Sequence, residues 1–212
     1  MGFGKWNVDI MVGKMPQNVA TAFAGLSELL GAKYNAIAYL GSQTVNGTNH
    51  AVLAEQTVIS RKDAKNIVVV VFNESKDGIA LYGIERVVEG GDGLGGLKVD
   101  VKTEIPGDAK MAYEEAFEGF TGSNIRPFAY LGMQAAKGST YVFAAEISPV
   151  TLDATRRAVL VAANGLTRAV SFVDLLSDGR NAGGLGYAFT WKAGQINSVR
   201  APGITVAGRA FE

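Results

Sequence analysis

The apolar positions along the chain change period at definite places, and those changes mark the elements. Trp6 to Val12 alternates in the manner of a strand. Pro16 suits a first helical turn, where its missing N–H costs nothing. Val19, Ala22, Phe23, Leu26, Leu29 and Leu30 then recur at helical spacing as one stripe, and Gly31 reads as the C′ glycine that ends the helix. Strand-like runs follow from Tyr34 to Val45 and from Thr48 to Ile59. They meet at Asn46-Gly47, a pair suited to the positive φ that a type I′ hairpin turn needs at both central residues. Ile67 to Phe72 is an unbroken apolar run that would promote aggregation if exposed, so it is expected to be a central, covered strand. Ile79 to Val88 completes the set.

The pattern then begins again. Tyr39, Leu40, Gly41, Gln43, Gly47, Ala54 and Glu55 are matched 91 residues later, without a gap, by Tyr130, Leu131, Gly132, Gln134, Gly138, Ala145 and Glu146. Val8-Asp9-Ile10 and Val99-Asp100-Val101 stand at the same spacing. Asp108 offers an N-cap to a second helix, whose stripe runs through Ala112, Tyr113, Ala116, Phe117 and Phe120 and stops at Gly122. Ala158 to Ala162 and Val170 to Leu175 supply the later strands. The expectation is an α+β protein of two tandem units, each one helix on the apolar face of a four- or five-stranded antiparallel sheet, followed by a C-terminal β-rich tail. The divisions fall at 1–90, a Gly-rich linker 91–96, 97–178 and the tail 179–212. In the tail Tyr187, Phe189 and Trp191 occupy alternate positions and share one face of a strand. That face is expected either to pack on the second unit or to bind another chain, since aromatics dominate interface cores.

Composition narrows the picture. With 212 residues, 48% of them hydrophobic, the chain can bury two cores of ordinary domain size. A formal net charge of zero gives no electrostatic footprint for nucleic acid or an anionic membrane. The longest apolar run is far too short to cross a bilayer, and the start lacks a signal-peptide profile, so a soluble protein of the cytoplasm or a virion is expected. There are no cysteines, which removes disulfides, thiolate ligands and a cysteine nucleophile. His50 is the sole histidine and stands where the second unit has Tyr141, a place for packing rather than for a base. Gly91, Gly93 and Gly96 spell GxGxxG but precede a strand rather than a helix, so they read as linker. No metalloprotease, P-loop, EF-hand or nucleophile-elbow motif is present. The expectation is a non-enzyme with no catalytic residue, metal or cofactor.

Gln43-Thr44-Val45-Asn46-Gly47 in its hairpin resembles the QxVxG loop of the cystatins, and the order of elements around it is similar to theirs. Val12-Gly13-Lys14-Met15-Pro16 resembles the glycine-bearing trunk before the helix in that family. The resemblance implies a cystatin-like fold for each unit. For an inhibitory member it implies a wedge into papain-like cysteine peptidases made by Gly13, Gln43, Thr44, Val45, Asn46 and Gly47. The family's third wedge element, a Pro-Trp hairpin, is missing: the turn reads Asn73-Glu-Ser-Lys-Asp-Gly78. In the second unit the loop decays to Gln134-Ala-Ala-Lys-Gly138. Two functions are therefore expected to compete. One is a protein-binding, structural subunit that self-associates or joins a larger particle, most concretely a viral (phage) capsid, tail or decoration component. The other is a reversible cysteine-peptidase inhibitor acting through Gln43–Gly47.

Overall fold

The computed structural model describes residues 4–29, 32–59, 64–91, 96–121, 123–135, 138–149 and 155–176, with the backbone of four short strands beyond them. The first unit is β1 (Trp6–Val12), α1 (Gln17–Leu29), β2 (Lys33–Val45), β3 (Gly47–Thr57), β4 (Lys65–Ser75) and β5 (Gly78–Glu89). The second repeats this order as β6 (Leu97–Lys102), α2 (Gly107–Ala116), β7 (Ser123–Ala135), β8 (Ser139–Pro149), β9 (Arg157–Asn164) and β10 (Ala169–Asp174). Each unit forms an antiparallel sheet with its strands in chain order, so the fold is α+β with two sheet units. The tail contributes β11 (Ala188–Lys192), β12 (Gln195–Asn197), β13 (Ile204–Val206) and β14 (Arg209–Phe211). β11 pairs with β10 and β12 with β11, which widens the second sheet to seven strands, while β13 and β14 pair with each other.

Burial explains why these segments are strands. Along β4, Val68, Val70 and Phe72 face α1 in one core with Val19, Phe23, Tyr39 and Val52. Ile67, Val69 and Val71, on the opposite face, belong to another core. That second core contains residues of both units: Leu40, Leu53 and Val69 of the first pack with Leu131, Val142 and Leu160 of the second. The second sheet repeats the alternation, with Val159, Val161 and Phe172 turned toward α2 and Leu160 and Val173 toward the sister sheet. The architecture is therefore helix, sheet, sheet, helix. The expected single apolar face per sheet is corrected to two, and the reason lies in the sequence: a strand covered on both sides reads as a continuous apolar run, as 67–72 does.

Three local expectations change. The β2–β3 register pairs Val45 with Gly47 and leaves Asn46 alone at the apex. Gly47 takes φ +102°, whereas Asn46 keeps a negative φ, so the turn is not type I′. The N-cap of α2 is Pro106, with Asp108 inside the first turn, its carboxylate accepting from the Ala109 N–H at 2.9 Å. α2 ends at Ala116, and Phe117 and Phe120 reach the core from the turn beyond it. Leu30, Gly31 and Gly122 lie outside the described residues.

The repeated Tyr-Leu-Gly has a steric cause. Gly41 and Gly132 take φ +149° and +152° at bulges in β2 and β7. A Cβ there would run into the backbone oxygen of Asn7 or Lys98 on the neighbouring first strand. Only glycine lets β1 and β6 approach so closely.

Candidate functional site

The expected wedge loop lies where the N-terminal segment, the β2–β3 hairpin and the β4–β5 turn converge. Three amides cross that end of the sheet in register. Gln43 Nε2 donates to the Gly4 carbonyl at 2.7 Å, Asn49 Nδ2 to Gln43 Oε1 at 3.0 Å, and Asn73 Nδ2 to Asn49 Oδ1 at 2.9 Å. Gln43 and Asn49 are buried. Buried amides must find partners, and these find each other. The second unit keeps the row as Gln134, Thr140 and Asn164, opposite one another in register, with Asn164 donating to Thr140 at 3.0 Å. The glutamine shared by the two units is thus explained as a rung that ties the sheet.

Gly47 is fixed as tightly. Its φ is left-handed, and a Cβ would sit 2.5 Å from the Glu74 carbonyl oxygen and 2.9 Å from Asn73 Oδ1. Thr44 and Asn46 are exposed, and Val45 is partly so. Gly13 is exposed but does not join them: its N–H donates to the Ile37 carbonyl at 3.0 Å, at the opposite end of β2. Nine residues of extended chain from Ile37 to Asn46 span roughly 30 Å. Antiparallel pairing places the start of β1 beside the hairpin and the end of β1 away from it. Gly4, which the sequence reading missed, is the glycine beside the loop: a Cβ on it would lie 2.6 Å from the Thr44 carbonyl oxygen.

His50 does more than fill space. It is buried, its Nδ1 lies 3.2 Å from the Tyr39 hydroxyl, and its Nε2 lies 3.2 Å from Glu74 Oε2. Asn18, in the first turn of α1, donates to the same Glu74 oxygen at 2.7 Å. In the second unit Tyr141, at the matching position, donates to Asp108 in the first turn of α2 at 3.2 Å. In both units this strand position therefore straps the start of the helix to the sheet. Burial raises the Tyr39 phenol above its ordinary value, so it resists becoming a nucleophilic phenolate. The same cause pushes Tyr130 up to about 12.

The repeated glutamates are also engaged. Glu55 meets Lys65 at 3.2 Å, and Glu146 meets Arg126 at 3.0 Å and Arg156 at 3.4 Å. Glu55 and Lys65 line an open cleft of about 860 Å³ between the units, together with Gly13 and the 100–107 segment. Another pair, Asp100 and Lys102, closes at 2.9 Å within the same cleft. Four of its charges are thus paired with one another, and Glu104 lines it as well. Among the described residues no group of three acidic or histidine side chains could hold a metal ion. Gly96 leads into strand β6, so the GxGxxG match does not open a helix.

Of the aromatic tail set, Phe189 and Trp191 fall on β11, where their backbones lie opposite Phe172 and Val170. Tyr187 lies outside the described residues. The backbone of β11 thus adds to the second unit's own sheet. No helix among the described residues is long and apolar enough to cross a membrane. No protein-family model matches the chain, and no curated protein or solved structure matches it.

Proposed function

We propose that this protein is a non-catalytic, protein-binding subunit of an assembly, built from a duplicated cystatin-like unit, with a phage virion component as the most concrete form. The observation that carries this reading is the edge of the first sheet, where β5 has no paired outer strand among the described residues. β5 is the terminal strand, and along it Ile79 is 43% exposed, Leu81 40% and Tyr82 49%. An edge strand bearing large apolar side chains invites another strand or surface. The cystatin-like label is supported by the order of strand, helix and four-stranded meander in both units. Light scattering on the native protein tests the reading: the expected result is a species of several copies or a larger particle. A monomer at every concentration and in its native source would refute it.

The peptidase-wedge reading has less support, because Gly13 is remote from the hairpin and Gln43 is occupied within the sheet. Papain is expected to keep its activity in a molar excess of this protein. Tight inhibition that disappears in Gly47→Arg would reverse the ranking of the two functions.

A further inference from the structure

The two units treat the space between helix and last hairpin in opposite ways. In the second unit Gly165, 91 positions after Glu74, lies against α2: a Cβ on it would sit 3.1 Å from Ala112 Cα and 2.5 Å from Glu115 Oε2. Matching the helices through their sheet-facing residues, Val19 with Ala109 and Phe23 with Tyr113, puts Gly25 in the place of Glu115. The first unit has therefore exchanged the pair, with glycine on the helix and glutamate on the turn. Between them lies an open groove of about 610 Å³, lined by Ala22, Gly25 and Leu26 of α1 and by Glu74 and Ile79 of the β4–β5 hairpin.

Nothing in the fold asks for glycine at 25. It lies inside α1, where glycine costs helix stability relative to alanine. Its φ is not positive, and a Cβ on it would meet nothing beyond its own helical turn within 4 Å. What the missing side chain does is keep the groove open.

Glu74 gives the groove its chemistry. Its Oε2 accepts from Asn18 at 2.7 Å and lies 3.2 Å from His50 Nε2, while Oε1 has no hydrogen-bond partner among the described residues. No lysine or arginine among them pairs with Glu74, and its side chain is 38% exposed. A carboxylate in an otherwise apolar groove matches one kind of group, an ammonium on an aliphatic stem. The methylenes of such a group cover apolar surface while its head makes a charge-assisted hydrogen bond. Resting on the assembly reading above, we propose that this groove is the seat of a lysine side chain of the partner protein, its stem against Ala22, Leu26 and Ile79 and its ammonium donating to Glu74.

Butylammonium, the lysine side chain cut free at its Cβ, is the probe. Titrated into isotopically labelled full-length protein, it is expected to move the amide resonances of Thr21, Gly25 and Ile79 saturably. Butanol, the uncharged analogue, should bind at least about tenfold more weakly, as should butylammonium to Glu74→Gln, because the charged hydrogen bond is lost. Gly25→Leu fills the groove without touching Glu74 and should abolish binding, with far-UV circular dichroism unchanged. It should also break up the native assembly in light scattering. Equal binding of butanol and butylammonium, or no saturable shift with the amine, would overturn the site. An assembly that persists in Gly25→Leu while the amine no longer binds would overturn the partner's use of the groove and leave the assembly reading intact. An amine that binds a protein monomeric under all conditions would remove the assembly reading and leave the ammonium site standing.

Discussion

Val69→Asp is expected to unfold the whole chain rather than its first half. Val69 is fully buried in the core that the two sheets share, opposite Leu53 in β3 and Glu85 in β5. The variant loses the transfer energy of a valine, about 1.5–3 kcal/mol. It also places an unpartnered carboxyl between two apolar sheets, which costs several kcal/mol more whether the group ionises or takes up a proton. Against a total stability of about 5–15 kcal/mol, that is enough to abolish folding. Because the core that holds Val69 also holds Leu131, Val142 and Leu160 of the other unit, loss of one sheet strips the cover from the second. Circular dichroism should show loss of both units' sheet signal. Retention of a folded second unit, with near half the native signal and a cooperative melt, would refute the shared core.

Phe172→Ala is expected to lower stability by about 3–5 kcal/mol, the range for a fully buried phenylalanine. Its ring lies 5.6 Å from that of Phe117 and 6.2 Å from that of Phe120, and Tyr113 packs on Phe117 at 4.4 Å. Removing it leaves the turn after α2 without its anchor. The urea midpoint should fall with an unchanged slope, because α2 and both sheets unfold together. Leu166→Ala is the matched control: Leu166 is 79% exposed and its loss should change stability by no more than about 0.5 kcal/mol. A Phe172→Ala loss below about 1 kcal/mol would mean that the aromatic cluster is not packed as described.

The elements themselves were readable because periodicity is written locally. The stripe from Val19 to Leu26 and the run Ile67 to Phe72 each announce their structure without help from distant residues. The 91-residue spacing made the second unit legible from the first. What stayed hidden was set by contacts between strands far apart in the chain. That Gly4, rather than Gly13, adjoins the hairpin follows from the direction of β1 against β2. The amide row was half visible, since Asn73 and Asn164 keep the same spacing as Gln43 and Gln134. Its meaning required knowing which strands lie side by side. The alternation of β4 between two cores was masked because both of its faces are equally apolar.

The shared face between the sheets also bears on how the protein is made. Ile67 to Phe72 leaves the ribosome roughly a hundred residues before Leu175, the last member of that core, which at about 5–20 residues per second is roughly 5–20 s. Throughout that interval the first sheet can gather its helix on one side, but its other side has nothing to lie against. A nascent chain in this condition is a natural client for chaperones that hold apolar sheet surfaces, and slowing synthesis between the two halves lengthens its exposure.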